Sequence, residues 1–154
     1  MQCAFSGTPY MKRTGILLLF CVFLACSKDE GVRNPYIQEV GFRFELNLNL
    51  PLYSPLTNPG NAVYIGGQGA GVRGVFVINT GFVFRAFEAS CPNHVPNACS
   101  TMELNSQVVT CSCEGFRYSL FSGQLLDMPE DGNRYYNMLE YRATQSGSVV
   151  LISN

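Results

Sequence analysis

The chain has 154 residues, enough for one domain and a targeting segment. Hydrophobic residues make up 47% and charged residues 14%, which excludes a disordered chain and makes a globular core feasible. The formal net charge is -1 with no basic stripe, which argues against nucleic acid as a partner, and 11 Phe and 8 Tyr without Trp favour a β-rich core.

The first ten residues, MQCAFSGTPY, carry no targeting character, so translation is expected to start at Met11. Lys12 and Arg13 then precede an apolar run over 16–25, the length of a signal-peptide core and too short to span a bilayer. The run ends at Leu24-Ala25-Cys26, which resembles a bacterial lipobox. The resemblance implies that residues 1–25 are a leader with a signal peptide and that Cys26 is lipidated. Ser27-Lys28-Asp29-Glu30 behind it is similar to the start of Bacteroidetes surface lipoproteins. Residues 26–37 are polar and aperiodic and are expected to be the lipidated tether. The implied location is the bacterial cell envelope, at the outer membrane, with the membrane as partner through the N-terminal lipid.

Residues 38–154 are expected to form the domain. Val40, Phe42, Phe44, Leu46, Leu48 and Leu50 alternate with less apolar residues, which predicts a strand over 40–50. Pro51, Pro55, Pro59 and Gly60 break it. Shorter β-favouring runs follow at 62–65, 72–78, 82–87, 107–110, 116–121, 135–142 and 148–152. Turn signals such as Asn79-Thr80-Gly81, Asp131-Gly132-Asn133 and Ser146-Gly147 separate them. Many short strands punctuated by Gly, Pro and Asn predict an all-β sandwich or barrel of antiparallel strands. The glycine run GGQGAG at 66–71 is not followed by Lys-Ser/Thr or by a helix pattern, so it is read as a loop between strands and not as a phosphate cradle.

Seven cysteines are present, of which Cys3, Cys21 and Cys26 fall in the leader or at its end. Cys91, Cys99, Cys111 and Cys113 remain, an even number in an exported chain, where disulfides are the usual outcome. The segment CPNHVPNACSTMELNSQVVTCSCEGF, residues 91–116, also holds the chain's one histidine, His94. Cys111-Ser112-Cys113 is not the C-x-x-C of thioredoxin-type chemistry, and a Cys-His nucleophile needs a reduced, activated thiol, so an enzyme is not expected.

Cys91-Pro92-Asn93-His94 and Cys111-Ser112-Cys113-Glu114-Gly115 resemble the two boxes of a Rieske iron–sulfur domain, C-x-H and C-x-x-H. Gly115-Phe116-Arg117-Tyr118 and Gly123 follow the second box as glycine and aromatic residues do in that family. The resemblance implies a Rieske-like multi-sheet fold and an electron-transfer ancestry with an unidentified redox partner. It also implies a [2Fe-2S] cofactor with Cys91 and Cys111 at the cysteine positions, and a loop-bridging disulfide between Cys99 and Cys113. The histidine positions hold Asn93 and Glu114, and His94 stands one residue late.

Three readings of the cysteine segment stay open. A cluster could use Cys91, Cys111, His94 and Glu114. Cys91 and Cys111 could instead close as a second disulfide. Zinc could take three cysteines and His94. A Rieske cluster needs two imidazoles on one iron, so the expectation is a chain without a standard cluster, whose alternative role is that of a disulfide-stabilised binding or structural module.

Overall fold

The computed structural model describes residues 33–67 and 69–154. The expected leader, the expected lipidation site Cys26 and the expected tether as far as residue 32 lie outside the described residues. The compact unit spans Asn34–Asn154 and so takes in the last residues of the 26–37 segment. Asn34 Nδ2 donates to Pro92 O at 2.7 Å, its Oδ1 accepts from Tyr36 N at 2.8 Å, and Ile37 is buried.

The fold is all-β. Among the described residues are β1 (Arg43–Asn47), β2 (Ala62–Ile65), β3 (Val75–Asn79), β4 (Phe84–Glu88), β5 (Glu103–Asn105), β6 (Val108–Thr110), β7 (Arg117–Ser119), β8 (Glu140–Ser146) and β9 (Val149–Ser153), with a 3-10 turn at Ser54–Thr57. One six-stranded sheet has the order β1-β9-β8-β4-β3-β2, and a three-stranded sheet has the order β5-β6-β7. Every pairing is antiparallel.

β3 is buried from Val75 to Ile78, which explains its unbroken apolar run: both faces of the strand are covered. Phe76 and Ile78 point to one side, where Phe87, Val109, Tyr118 and Leu120 join them with Cys91 and Cys111. Val75 and Val77 point to the other side, with Leu46, Ala86, Tyr141, Val150 and Ile152. Full burial of Phe76 or Phe87 contributes about 1.5–3 kcal/mol each. The candidate cysteines thus sit in a core layer.

The strand expected over 40–50 stops at Asn47. Asn47 O accepts from Leu50 N and Asn47 Oδ1 accepts from Asn49 N, both at 3.0 Å, so the chain turns there while Leu46 and Leu48 keep their inward parity. The strand expected over 135–142 lies later, as β8. Tyr136 and Asn137 are held by loop contacts instead, through Asn93 and the Leu125 amide. β5 was not expected. It pairs with β6 across Ser106-Gln107, where Ser106 has φ +59°.

The glycine run ends in a defined contact. Val72 N and Arg73 N donate to the carboxylate of Glu88 at 2.7 and 2.9 Å. Ser90 N adds a third bond at 2.9 Å and Tyr141 Oη a fourth at 2.5 Å. Gly71 has φ +61°, and a Cβ there would meet Glu88 Oε2, so only glycine lets the loop close on that carboxylate. The cradle of backbone amides is filled by the protein's own side chain.

Candidate functional site

Two loops build the site. The first runs from β4 to β5 and is pinned at its base, where Met102 N donates to Ala89 O at 2.9 Å and Cys91 N to Ser100 O at 2.7 Å. The second joins β6 to β7 and is short, because Cys111 N donates to Phe116 O and Gly115 N to Cys111 O, both at 2.8 Å. Gly115 adopts φ +77°, a conformation that costs glycine least.

These pins set the cysteines opposite one another. Cys91 and Cys111 are joined, with Cα atoms 5.6 Å apart, and both are fully buried. Cys99 and Cys113 are joined nearer the surface, with Cα atoms 5.5 Å apart. Both separations fall in the ordinary range for a disulfide.

His94 lies across the second loop. Its Nδ1 is 2.5 Å from Glu114 Oε1, and its Nε2 is 2.8 Å from Ser100 Oγ and 3.4 Å from Cys113 Sγ. With a neutral ring these contacts select one tautomer: Nδ1–H donates to Glu114, and Nε2 accepts from the Ser100 hydroxyl. Ser100 Oγ in turn accepts from Asn97 N at 2.7 Å. Ser100, His94 and Glu114 therefore have the connectivity of a nucleophilic triad. Ser100 is fully buried, however, and its oxygen is already committed at both ends, so no substrate carbonyl can reach it.

Asn93, which the resemblance sets at the first histidine position, is turned inward. Its Nδ2 donates to Tyr118 Oη at 2.8 Å and to Tyr136 O at 3.1 Å, while its Oδ1 accepts from Tyr136 N at 2.7 Å. It clips the first loop to the 135–137 segment. Burial, partly opposed by the Asn93 hydrogen bond, pushes the Tyr118 phenol up to about 12. The unfolded phenol loses its proton near pH 10, before the folded one. Stability from this group is therefore complete below about pH 10 and falls as pH rises through about 12, by an amount on the order of 2–3 kcal/mol. Alkaline unfolding of Tyr118→Phe should show a shallower loss over that window than the parent chain. An identical slope in the two proteins would mean that Tyr118 titrates normally.

A Rieske cluster does not fit this donor set. The two sulfurs that would hold the irons are bonded to each other, the Asn93 amide is spent on Tyr118 and Tyr136, and the Glu114 carboxylate is held by His94. One imidazole is present where two are needed.

Sequence reasoning singled out Cys91, His94, Cys99, Cys111, Cys113 and Glu114, and the structure gathers all six around the two loops. It missed Asn97 and Ser100, which orient His94, and Glu88, which anchors the strand leading into Cys91. Glu88 had a readable signal: it shares inward parity with Phe84 and Ala86, where a lone acid is out of place.

No family model matches the chain, and no curated protein matches it. Among solved structures, one similar chain comes from the complex of reduced oxygenase and oxidized ferredoxin in carbazole 1,9a-dioxygenase. It is 19% identical with TM-score 0.43, and the match covers 62% of this chain and 82% of that one. Another is the apo form of a quaternary ammonium Rieske monooxygenase, CntA, 17% identical with TM-score 0.49, over 77% of this chain and 34% of that one. This chain thus spans about a third of the monooxygenase. At these values the likeness assigns no family and no activity.

Proposed function

We propose that the chain is a lipid-anchored envelope protein whose domain is a Rieske-like scaffold closed by disulfides, serving as a binding or structural module and not as a cluster-based electron carrier. The observation that carries this is the Cys91–Cys111 bond, which occupies the two sulfurs a cluster would need. Supporting it, the two boxes lie on adjoining loops, and each non-histidine at a ligand position is engaged elsewhere, Asn93 as a clip and Glu114 as the partner of His94. The electron-transfer ancestry rests on the resemblance of the two boxes and the glycine-aromatic run after the second.

Iron analysis of the full chain purified without oxygen tests it. The expected result is a colourless protein without stoichiometric iron. Iron near two per chain, with a Rieske-type spin-resonance signal after reduction, would restore an electron-transfer role.

Anchoring is a separate part of the proposal, motivated by Lys12-Arg13, the apolar run and Leu24-Ala25-Cys26. Cys26→Ser should move the protein out of the membrane fraction, and the parent chain should carry acyl mass on Cys26. A variant that stays membrane-bound, beside a parent without acyl mass, rules the anchor out.

A further inference from the structure

We propose that the chain has a second, reduced state in which Cys91, Cys111, Cys113 and His94 bind one zinc ion. The sulfurs of the three cysteines and a ring nitrogen of His94 all lie within 4.8 Å of one another. Three thiolates and one imidazole are an ordinary structural zinc set.

One edge of the tetrahedron already has its length. Zinc–sulfur and zinc–nitrogen bonds imply a sulfur–nitrogen edge of about 3.5 Å, and Cys113 Sγ lies 3.4 Å from His94 Nε2. Opening the Cys91–Cys111 bond lets those sulfurs relax from bonding distance to a sulfur–sulfur edge of about 3.8 Å, a small movement for side chains on two pinned loops.

The second observation is the setting of the imidazole. Nε2 faces Cys113, while Nδ1 is held 2.5 Å from Glu114. Zinc-bound histidines almost always donate their other N–H to a carboxylate, a backbone carbonyl or water, which fixes the tautomer and aims the lone pair. Glu114 is thus a positioning residue outside the ligand shell. Ser100 Oγ, now bonded to Nε2, is what the metal displaces. Cys99 sits on the exposed rim and is left as a free thiol.

The chemistry balances with a dithiol as reductant. Two dithiol molecules each pass two electrons and two protons to one disulfide and close to their own cyclic disulfides. Four thiols result: Cys91, Cys99, Cys111 and Cys113. Zinc then displaces the protons of Cys91, Cys111 and Cys113.

The test uses the full chain, reduced with excess dithiol, freed of it without oxygen, and titrated with Co²⁺ and then Zn²⁺. One cobalt per chain should give tetrahedral bands with thiolate charge transfer, and one zinc should abolish them while the far-ultraviolet β signal is kept. His94→Ala and Cys113→Ser should weaken zinc binding at least tenfold. Glu114→Gln should weaken it roughly tenfold to a hundredfold while the cobalt spectrum keeps its three-thiolate intensity. Cys99→Ser should leave affinity and spectrum unchanged. Absence of tetrahedral bands after reduction overturns the proposal. So does zinc uptake by an unfolded chain, or binding that Cys99→Ser weakens and His94→Ala does not, because either means four cysteines acting without the built site. Iron in the protein as first purified would count against the proposed function alone, since the titration is read on reduced, iron-free chain.

Discussion

Glu88→Ala should destabilise the domain by about 3–5 kcal/mol, as much as truncating a large buried core side chain. Glu88 is fully buried, and its carboxylate accepts from Val72 N, Arg73 N, Ser90 N and Tyr141 Oη. All four partners are donors, so an acceptor-only carboxylate satisfies them and no neutral side chain of that size can. Alanine orphans three amides and a hydroxyl, each costing about 1–3 kcal/mol when left dry, with relaxation and water entry recovering part of the sum. Against the 5–15 kcal/mol typical of a whole domain, roughly, that is a large share. Glu88→Gln should lie between parent and alanine, because one amide oxygen replaces two carboxylate oxygens and the NH₂ faces a donor. Tyr141→Phe removes a single charge-assisted bond and should cost about 1.5–3 kcal/mol. Urea unfolding at constant slope measures all three. A glutamine variant as stable as the parent would mean that the amide cradle does not hold a charged group.

Replacing both Cys91 and Cys111 with alanine should cost about 3 kcal/mol or more. The bond closes a loop of sequence separation 20 and joins the β4–β5 loop to the β6–β7 loop inside the core layer. Its loss releases that constraint on the unfolded chain and leaves two sulfur-sized gaps in the core cluster that also holds Val109 and Tyr118. The matching change at Cys99 and Cys113 opens a bridge of separation 14 near the surface and should cost a similar loop contribution without the core gap. Thermal melts of the two double variants compare them directly. Equal midpoints would mean that the inner bridge adds nothing through packing.

How far the sequence could be read differs from place to place, for physical reasons. β1, β3 and β9 announce themselves because their side chains bury with a clear parity or as an unbroken apolar run. β8 does not: Arg142, Thr144, Gln145 and Ser146 are polar, and the strand exists because its backbone pairs with β9 from Arg142↔Ser153 to Ser146↔Val149. Tyr135 and Tyr136 look like strand residues but serve loops, since the Tyr135 hydroxyl donates to Asp131 Oδ2 at 2.6 Å and the Tyr136 amide to Asn93. At the site, the cysteine spacing carried the two boxes. The roles of Asn93, Ser100 and Glu114 were hidden, because they depend on which side chain faces which between loops that are separate in the chain. The GGQGAG run was legible only as a loop; that its far end grips Glu88 follows from the β3–β4 register, which brings Val75 opposite Glu88.

The most direct measurement of the central claim is non-reducing peptide mapping of the full chain purified without oxygen. The proposed disulfide-closed domain must yield two bridged peptides, Cys91 with Cys111 and Cys99 with Cys113, and no free thiol at any of the four. Free thiols at Cys91 and Cys111 beside an intact Cys99–Cys113 bridge would contradict it, because that pattern leaves both sulfurs available to iron.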